Sequence, residues 1–275
     1  VDSSVALMRL VEEGEHDLTA FYLKIWLEDE MAFLGRCPWE EDLEIVRQVC
    51  EEVAVPLEVI SLQHEYRDTV ISYVLAELEV GRTPSPDVMC NRAIKFGAFV
   101  DRVGDRFDLV ASGHHARVTN RDGLARLLKG ADPKKDQTYF LCQLRQDQLA
   151  RCLFPIGHLT KAEVRAEAHR LGLPNAERPD SQGICFLGRV PFNEFIGHHL
   201  GERTGEIREI GSDRVLGQHR GTWFYTIGQR KGLFLGSGPW YVARKDVGDN
   251  VVWVVHADNL EKRARSTFCI PNPHW

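Results

Sequence analysis

The 275-residue sequence contains no run of 18 apolar residues, so no stretch of it is built to cross a bilayer as a helix. Its start lacks the basic and then apolar pattern of a secretory signal, so no membrane role and an intracellular, cytoplasmic setting are expected; an organellar parent fits as well. The seven cysteines run from Cys37 to Cys269, are odd in number and include no CxxC pair. That pattern excludes a disulfide framework and a zinc ribbon, and most of the thiols are expected to be reduced and buried. There is no internal repeat and no low-complexity tract, and 43% hydrophobic with 27% charged residues is the composition of a folded protein.

A chain of this length can bury a full core, and suggests one large domain followed by a smaller one. The net charge of -6 argues against a nucleic-acid partner, but its distribution is uneven. Residues 1–80 carry five Lys and Arg against 19 Asp and Glu, whereas residues 81–275 carry 29 against 21. The later portion can therefore present a basic face to phosphates, although ordinary solvated surfaces have the same charges.

Apolar spacing after Asp2, Ser3 and Ser4 predicts a helix over residues 5–13, with those polar residues as N-cap candidates. Residues 18–26 and 57–62 read as strands. Leu43, Val46, Val49 and Val53 form the stripe of a helix whose first turn holds Glu40, Glu41 and Asp42. Helices are predicted over residues 66–79 and 91–103, and a buried strand over 108–112 leads into Gly113-His114-His115. Repeated strand and helix units of this kind predict an α/β fold, a parallel sheet covered by helices on both faces, with ligands at the carboxyl ends of the strands. Thr160 and Glu163 are spaced as a capping box for a helix over 160–171 that Gly172 closes. From about Gly201 the texture changes to short alternating segments at 223–227, 240–243 and 251–255, which predict a small β-rich domain.

Three segments can carry chemistry. Small hydroxylated residues at the start of a helix, as in Val1-Asp2-Ser3-Ser4, leave backbone N–H groups for phosphate; a capped surface helix has the same sequence. In residues 81–91, Gly-Arg-Thr-Pro-Ser-Pro-Asp-Val-Met-Cys-Asn, two prolines stiffen the chain ahead of Cys90 at an expected helix start, where the helix dipole favours the thiolate. Asp87 lies one helical turn before Cys90, within reach as a base or substrate contact; a buried cysteine beside a turn is the competing reading. A second cysteine, Cys185, follows a glycine-containing loop, and two such cysteines that met in space could exchange a disulfide or persulfide.

Besides 1–4 and 81–91, the sequence carries Ile-Lys-Phe at 94–96 and Ser-Gly-His-His-Ala-Arg at 112–117. Lys-Asp-Gln-Thr-Tyr-Phe-Leu follows at 135–141, Gly-Ile-Cys-Phe-Leu-Gly at 183–188 and Tyr-Thr-Ile-Gly-Gln-Arg-Lys-Gly-Leu at 225–233. Through these segments the sequence resembles, across nearly its whole length, the tRNA-specific 2-thiouridylase family of PP-loop ATP pyrophosphatases. The resemblance implies an adenine nucleotide alpha hydrolase-like catalytic domain over 1–200, a β-rich domain over 201–260 and the beginning of a C-terminal β-barrel over 261–275. Ser-Gly-Gly, expected before Val1, and the rest of the barrel are missing, so a piece of a longer protein is expected. The resemblance further implies Cys90 as nucleophile, Cys185 as persulfide carrier, and Asp87 at the reacting centre. Asp2, Ser3, Ser4, Val5, Leu23 and Gly113 would line the ATP site, with Leu23 where Met is common. Ser85, Pro86 and Asp87 would touch the target base, Ser85 standing where Asn is usual, and His114, Lys135, Asp136 and Gln137 would contact tRNA.

The implied partners are ATP with Mg2+, the anticodon stem-loop of tRNA, and a persulfide sulfur donor such as a sulfur-relay protein or a cysteine desulfurase. The implied reaction is adenylation of the carbon 2 oxygen of the wobble uridine, followed by sulfur transfer with AMP as leaving group. Tyr66, Phe96 and Tyr139 are possible stacking platforms for a flipped base, or core aromatics. Arg82, Arg92, Lys95, Lys134 and Arg230 are possible phosphate contacts, or solvated surface charges. A PP-loop ligase acting on a small molecule, a tRNA-binding fragment without activity, and an iron-sulfur centre at Asp87, Cys90 and Cys185 are the competing readings.

Overall fold

A computed structural model describes residues 1–25, 38–179, 191–261, 267 and 269. In chain order the elements are α1 (Asp2–Glu13), β1 (Ala20–Lys24), α2 (Pro38–Glu52), β2 (Leu57–Ser61), α3 (Gln63–Tyr66) and α4 (Ser72–Glu79). A π-helical turn, Arg67–Ile71, links the last two. There follow α5 (Pro86–Cys90), a π-helical stretch Asn91–Ala98, α6 (Phe99–Val103), β3 (Val110–Ala111), β4 (Ala116–Arg121), β5 (Leu124–Lys129), α7 (Gln146–Leu149), β6 (Cys152–Leu153) and α8 (Lys161–Arg170). The order ends with α9 (Phe192–Leu200), β7 (Gly205–Glu209), β8 (Val215–His219), β9 (Trp240–Asp246) and β10 (Val251–His256). Two compact units result, one from residues 1–71 and 86–188, the other from 72–85 and 189–275.

In the first unit, pairing is parallel where the alternation of strands and helices predicts it: β1 runs beside β2 and β3 beside β6. Val5, Ala6 and Met8 of α1 pack with Val49 of α2, Ile156, and Val164 and Ala168 of α8, so α1 is fixed on its inner side by apolar burial. At its far end Gly14 adopts the left-handed conformation that closes a helix, and its N–H returns to the Leu10 carbonyl. A second core gathers Phe96, Ala116, Ala125, Leu141, Leu149, Cys152 and Phe154. The hairpin of β4 and β5 covers it and turns at Asp122 and Gly123, both at positive φ. α8 starts as read from sequence: the Thr160 hydroxyl accepts from the Glu163 N–H, and the Glu163 carboxylate accepts from the Thr160 N–H at 2.7 Å.

The second unit is built on a four-stranded sheet in the order β8-β7-β10-β9, with β10 parallel to β7 and antiparallel to β9. Ile207, Val242, Val252 and Val254 fill its interior. Two local readings change. The α1 helix begins at Asp2 with Val1 as cap residue, so Asp2, Ser3 and Ser4 stand inside its first turn and no side chain caps it. Residues 223–227 do not form a strand: the Phe224 and Tyr225 N–H groups close back on the Gly221 and Thr222 carbonyls as a 3-10 turn, which prevents sheet pairing there.

Candidate active site

The first cluster forms around the N-terminus of α1. Its first-turn N–H groups have no partner within the helix, while the Val5 N–H already bonds the Val1 carbonyl and the Val5 side chain is core. Beyond β3, Gly113 lies directly against this turn; a Cβ there would stand 2.5 Å from the Ser3 nitrogen and 2.7 Å from the Asp2 carbonyl carbon. Only glycine permits that approach. Leu23 lies in β1, paired with Ile60 of β2.

Asp2 is held by Lys161, whose Nζ lies 2.5 Å from the Asp2 carboxylate, and faces the His115 ring at 3.8 Å. Burial opposes ionisation of Asp2, but the His115 ring and the Lys161 ammonium outweigh it and keep the carboxyl below its ordinary value. Asp132 fixes the start of α8 by accepting from the Lys161 N–H at 2.9 Å. Asn175 donates to the Ser4 hydroxyl at 2.8 Å, and its own carbonyl oxygen is buried without a partner among the described residues. Lys161, Asn175, Asp132 and His115 were not singled out from sequence. Lys161 and Asn175 lie 159 and 171 residues from the groups they hold, which no spacing rule can show.

The second cluster lies on the helix that begins at Pro86. Proline suits a first helical position, so the helix starts there and Cys90 falls in its second turn, not at its beginning as the sequence suggested. Cys90 is 1% exposed. Burial pushes the Asp87 carboxyl up, with Lys95 opposing, so this group sits nearer to holding a proton than an exposed aspartate does. Asn91 is buried and donates to the Phe140 carbonyl at 3.1 Å, with its own carbonyl oxygen unpartnered among the described residues.

The two clusters are neighbours in one unit. Phe96 packs on the His114 ring at 6.2 Å, and Lys95 is close enough to influence both Asp87 and His114. His114 is 9% exposed, bonded through Nδ1 to the Ser112 hydroxyl at 2.8 Å, and burial together with Lys95 brings its value down to about 3, so the ring is neutral. The loop after β5 uses its polar side chains internally: Gln137 accepts from the His115 N–H, and Asp136 from Thr138 and Gly130. Lys135 is half-buried in the same loop. Tyr66 and Phe96 are core residues, not stacking platforms, whereas Tyr139 is 59% exposed and lies on Phe140 at 4.0 Å. Arg82 forms a paired contact with Glu77, and Arg92 donates to Gln143. Ser85 is exposed and Pro86 half-buried. Cys185 lies outside the described residues, as does Cys37. Among the described residues no three His, Cys, Asp or Glu side chains cluster to hold a metal ion, and no helix is long and apolar enough to cross a membrane.

A family model described as the tRNA methyl transferase HUP domain matches residues 1–189, and one described as the tRNA methyl transferase PRC-barrel domain matches residues 193–256. The chain is 48% identical over 254 residues to the tRNA-specific 2-thiouridylase MnmA of Parabacteroides distasonis, covering 92% of this chain and 70% of that protein. The protein of the same name from Porphyromonas gingivalis is 48% identical over the same shares. The tRNA-specific 2-thiouridylase MnmA 1 of Bacteroides thetaiotaomicron is 46% identical over the whole chain and 77% of its own length.

Proposed function

The chain belongs to the tRNA-specific 2-thiouridylase family, and from that premise we propose how its residues replace the carbon 2 oxygen of a tRNA uridine with sulfur at the expense of ATP. The observation that carries the reading is the approach of Gly113 to the first turn of α1, next to His114, on whose ring packs Phe96 of the stretch that follows the Cys90 helix. A free helix N-terminus faced by a residue without a side chain suits the phosphates of ATP. The unpartnered carbonyl of Asn175, whose amide holds Ser4, and the anionic Asp2 in the same first turn of α1 fit a nucleotide site that also takes Mg2+, for which Asp2 would be the oxygen ligand. Bound there, the ion would neutralise phosphate charge.

The carbon 2 carbonyl of uracil is a poor electrophile and its oxygen a poor leaving group. Attack of that oxygen on the α-phosphorus of ATP releases pyrophosphate and leaves AMP as the departing group. Ser3 and Ser4 hold the phosphates through N–H groups, and Lys161, already beside Asp2, supplies a cation for the leaving pyrophosphate. Asp87, with its raised value, donates to or accepts from the base edge. A persulfide on Cys185 then attacks carbon 2 with its terminal sulfur. The Cys90 thiolate attacks the inner sulfur of Cys185, the sulfur–sulfur electron pair stays with the transferred atom, and AMP leaves. A Cys90–Cys185 disulfide remains, so each turnover requires external reductant and a new persulfide from a donor protein. The wobble uridine of the anticodon loop is the target, flipped from its stack to reach a buried thiol.

The names of the relatives specify sulfur transfer, while the matched family descriptions mention methyl transfer; Cys90 beside Asp87 on one helix supports sulfur. The test is pyrophosphate release from ATP with unmodified tRNA in the absence of any sulfur donor. Release that depends on tRNA supports adenylation of the nucleic acid. Release without tRNA, or none in its presence, would assign the ATP site to a different acceptor.

A further inference from the structure

Between Asp213 and Asp246 the sequence has no acidic residue and six Lys and Arg. Four of these are engaged or partly covered: Arg214 pairs with Glu209, Arg220 pairs with Glu202, Arg244 lies over the Trp253 ring, and Lys245 is half-buried. Arg230 and Lys231 remain, both exposed and without an ion-pair partner among the described residues. They lie in the loop between the Thr222–Phe224 turn and β9, which also displays Ile227 at 63% and Phe234 at 99% exposure. Phe234 has a φ of 51°, a left-handed conformation that a bulky residue adopts only when its surroundings impose it.

The chain on both sides of Phe234 is tied down. The Gly228 N–H donates to the Val242 carbonyl at 2.8 Å and the Val242 N–H to the Gln229 carbonyl at 2.9 Å, which ties the loop to β9. The Gln229 side chain accepts from the Thr226 N–H and donates to the Lys231 carbonyl, both at 2.9 Å. Leu233 is buried, and the Trp240 indole donates to the Gly236 carbonyl. The loop is a built support that holds one aromatic ring in solvent within four residues of two exposed cations.

We propose that residues 226–238 form a single-stranded RNA contact, in which Phe234 stacks on an unpaired tRNA base and Arg230 and Lys231 hold the flanking phosphates. This rests on tRNA being the substrate. Base stacking on an exposed ring, combined with backbone neutralisation by neighbouring cations, is the way proteins grip unpaired nucleotides. A protein partner is less suited, since Lys is depleted at protein interfaces, while an exposed ring with flanking cations matches a base with its flanking phosphates.

The experiment measures binding of unmodified tRNA to the full chain by fluorescence anisotropy over a salt series, with ATP affinity recorded in parallel. Phe234→Ala is expected to weaken tRNA binding about tenfold and Phe234→Trp to retain it. Arg230→Ala combined with Lys231→Ala is expected to lower the salt slope by roughly one to two. ATP affinity stays unchanged in all three. Equal tRNA affinity and slope in the parent chain and every variant would overturn the contact while leaving the thiolation reading intact. Unchanged tRNA affinity with impaired sulfur delivery from a donor protein would also overturn it, assigning the loop to a protein. If the parent chain binds no tRNA, the underlying reading fails and the contact with it.

Discussion

Gly113→Ala tests the geometry of the nucleotide site with a single methyl group. The added carbon would stand 2.5 Å from the Ser3 nitrogen, 2.7 Å from the Asp2 carbonyl carbon and 2.9 Å from the Ser3 Cα. All three are backbone atoms, so no side chain can rotate aside, and ordinary contact at 3.4 Å requires the first turn of α1 to retreat by roughly 0.9 Å. Overpacking of this kind costs about 1–3 kcal/mol, which for a unit of this size lowers the melting temperature by about 2–12 °C. The larger effect falls on ligand binding. Hydrogen bonds to a charged phosphate contribute about 1.5–3 kcal/mol each, so displacing even one N–H weakens ATP binding by about tenfold or more. Calorimetric ATP titration and thermal unfolding read the two effects separately. Gly236→Ala, where a Cβ meets nothing within 4 Å, is the control and changes neither. If Gly113→Ala binds ATP as the parent does, the α1 terminus is not the phosphate site.

Lys161→Met leaves the half-buried Asp2 without its ammonium partner and costs about 2 kcal/mol at neutral pH, between the values for exposed and buried pairs. Because the folded Asp2 carboxyl is held below its ordinary value of 3.8, its contribution is present above that pH and disappears as pH falls through the folded value. Denaturant titrations from pH 7 to pH 2 should therefore show the gap between parent and variant closing in acid; a gap independent of pH would contradict the pairing. Thr160→Ala removes one half of the α8 capping box and lowers stability by about 1 kcal/mol, measured by the shift in urea midpoint. Asn175→Ala frees the Ser4 hydroxyl and is expected to raise the KM for ATP more than it lowers kcat.

Local signals were readable where they act over a few residues. The Thr160 and Glu163 pair, the apolar stripe of α2 and the alternation in β10 all correspond to elements in the structure. The hairpin of β4 and β5 was missed although Asp122-Gly123 is its turn signal, because Leu124 and Leu128 face solvent and obscure the alternation. The α9 helix was also missed, its apolar Phe195 and Ile196 being followed by Gly197 and two histidines. Two prolines ahead of Cys90 suggest a helix that starts after them, whereas Pro86 itself begins the helix. The contacts of Asp2 with Lys161 and of Ser4 with Asn175 arise from packing of α1 against α8 and the chain beyond it, which only the folded core establishes.

In the proposed reaction two cysteines of this chain pass sulfur to tRNA. Its most direct test is mass spectrometry of nucleosides from unmodified tRNA incubated with ATP, a persulfide source and the chain extended at both ends to the length of its relatives, beside that protein carrying Cys90→Ala or Cys185→Ala. The account predicts 2-thiouridine with the parent and none with either variant, while all three bind ATP equally. Undiminished 2-thiouridine from the Cys90→Ala variant, or ATP consumption by the parent with no thiolated nucleoside, would contradict it.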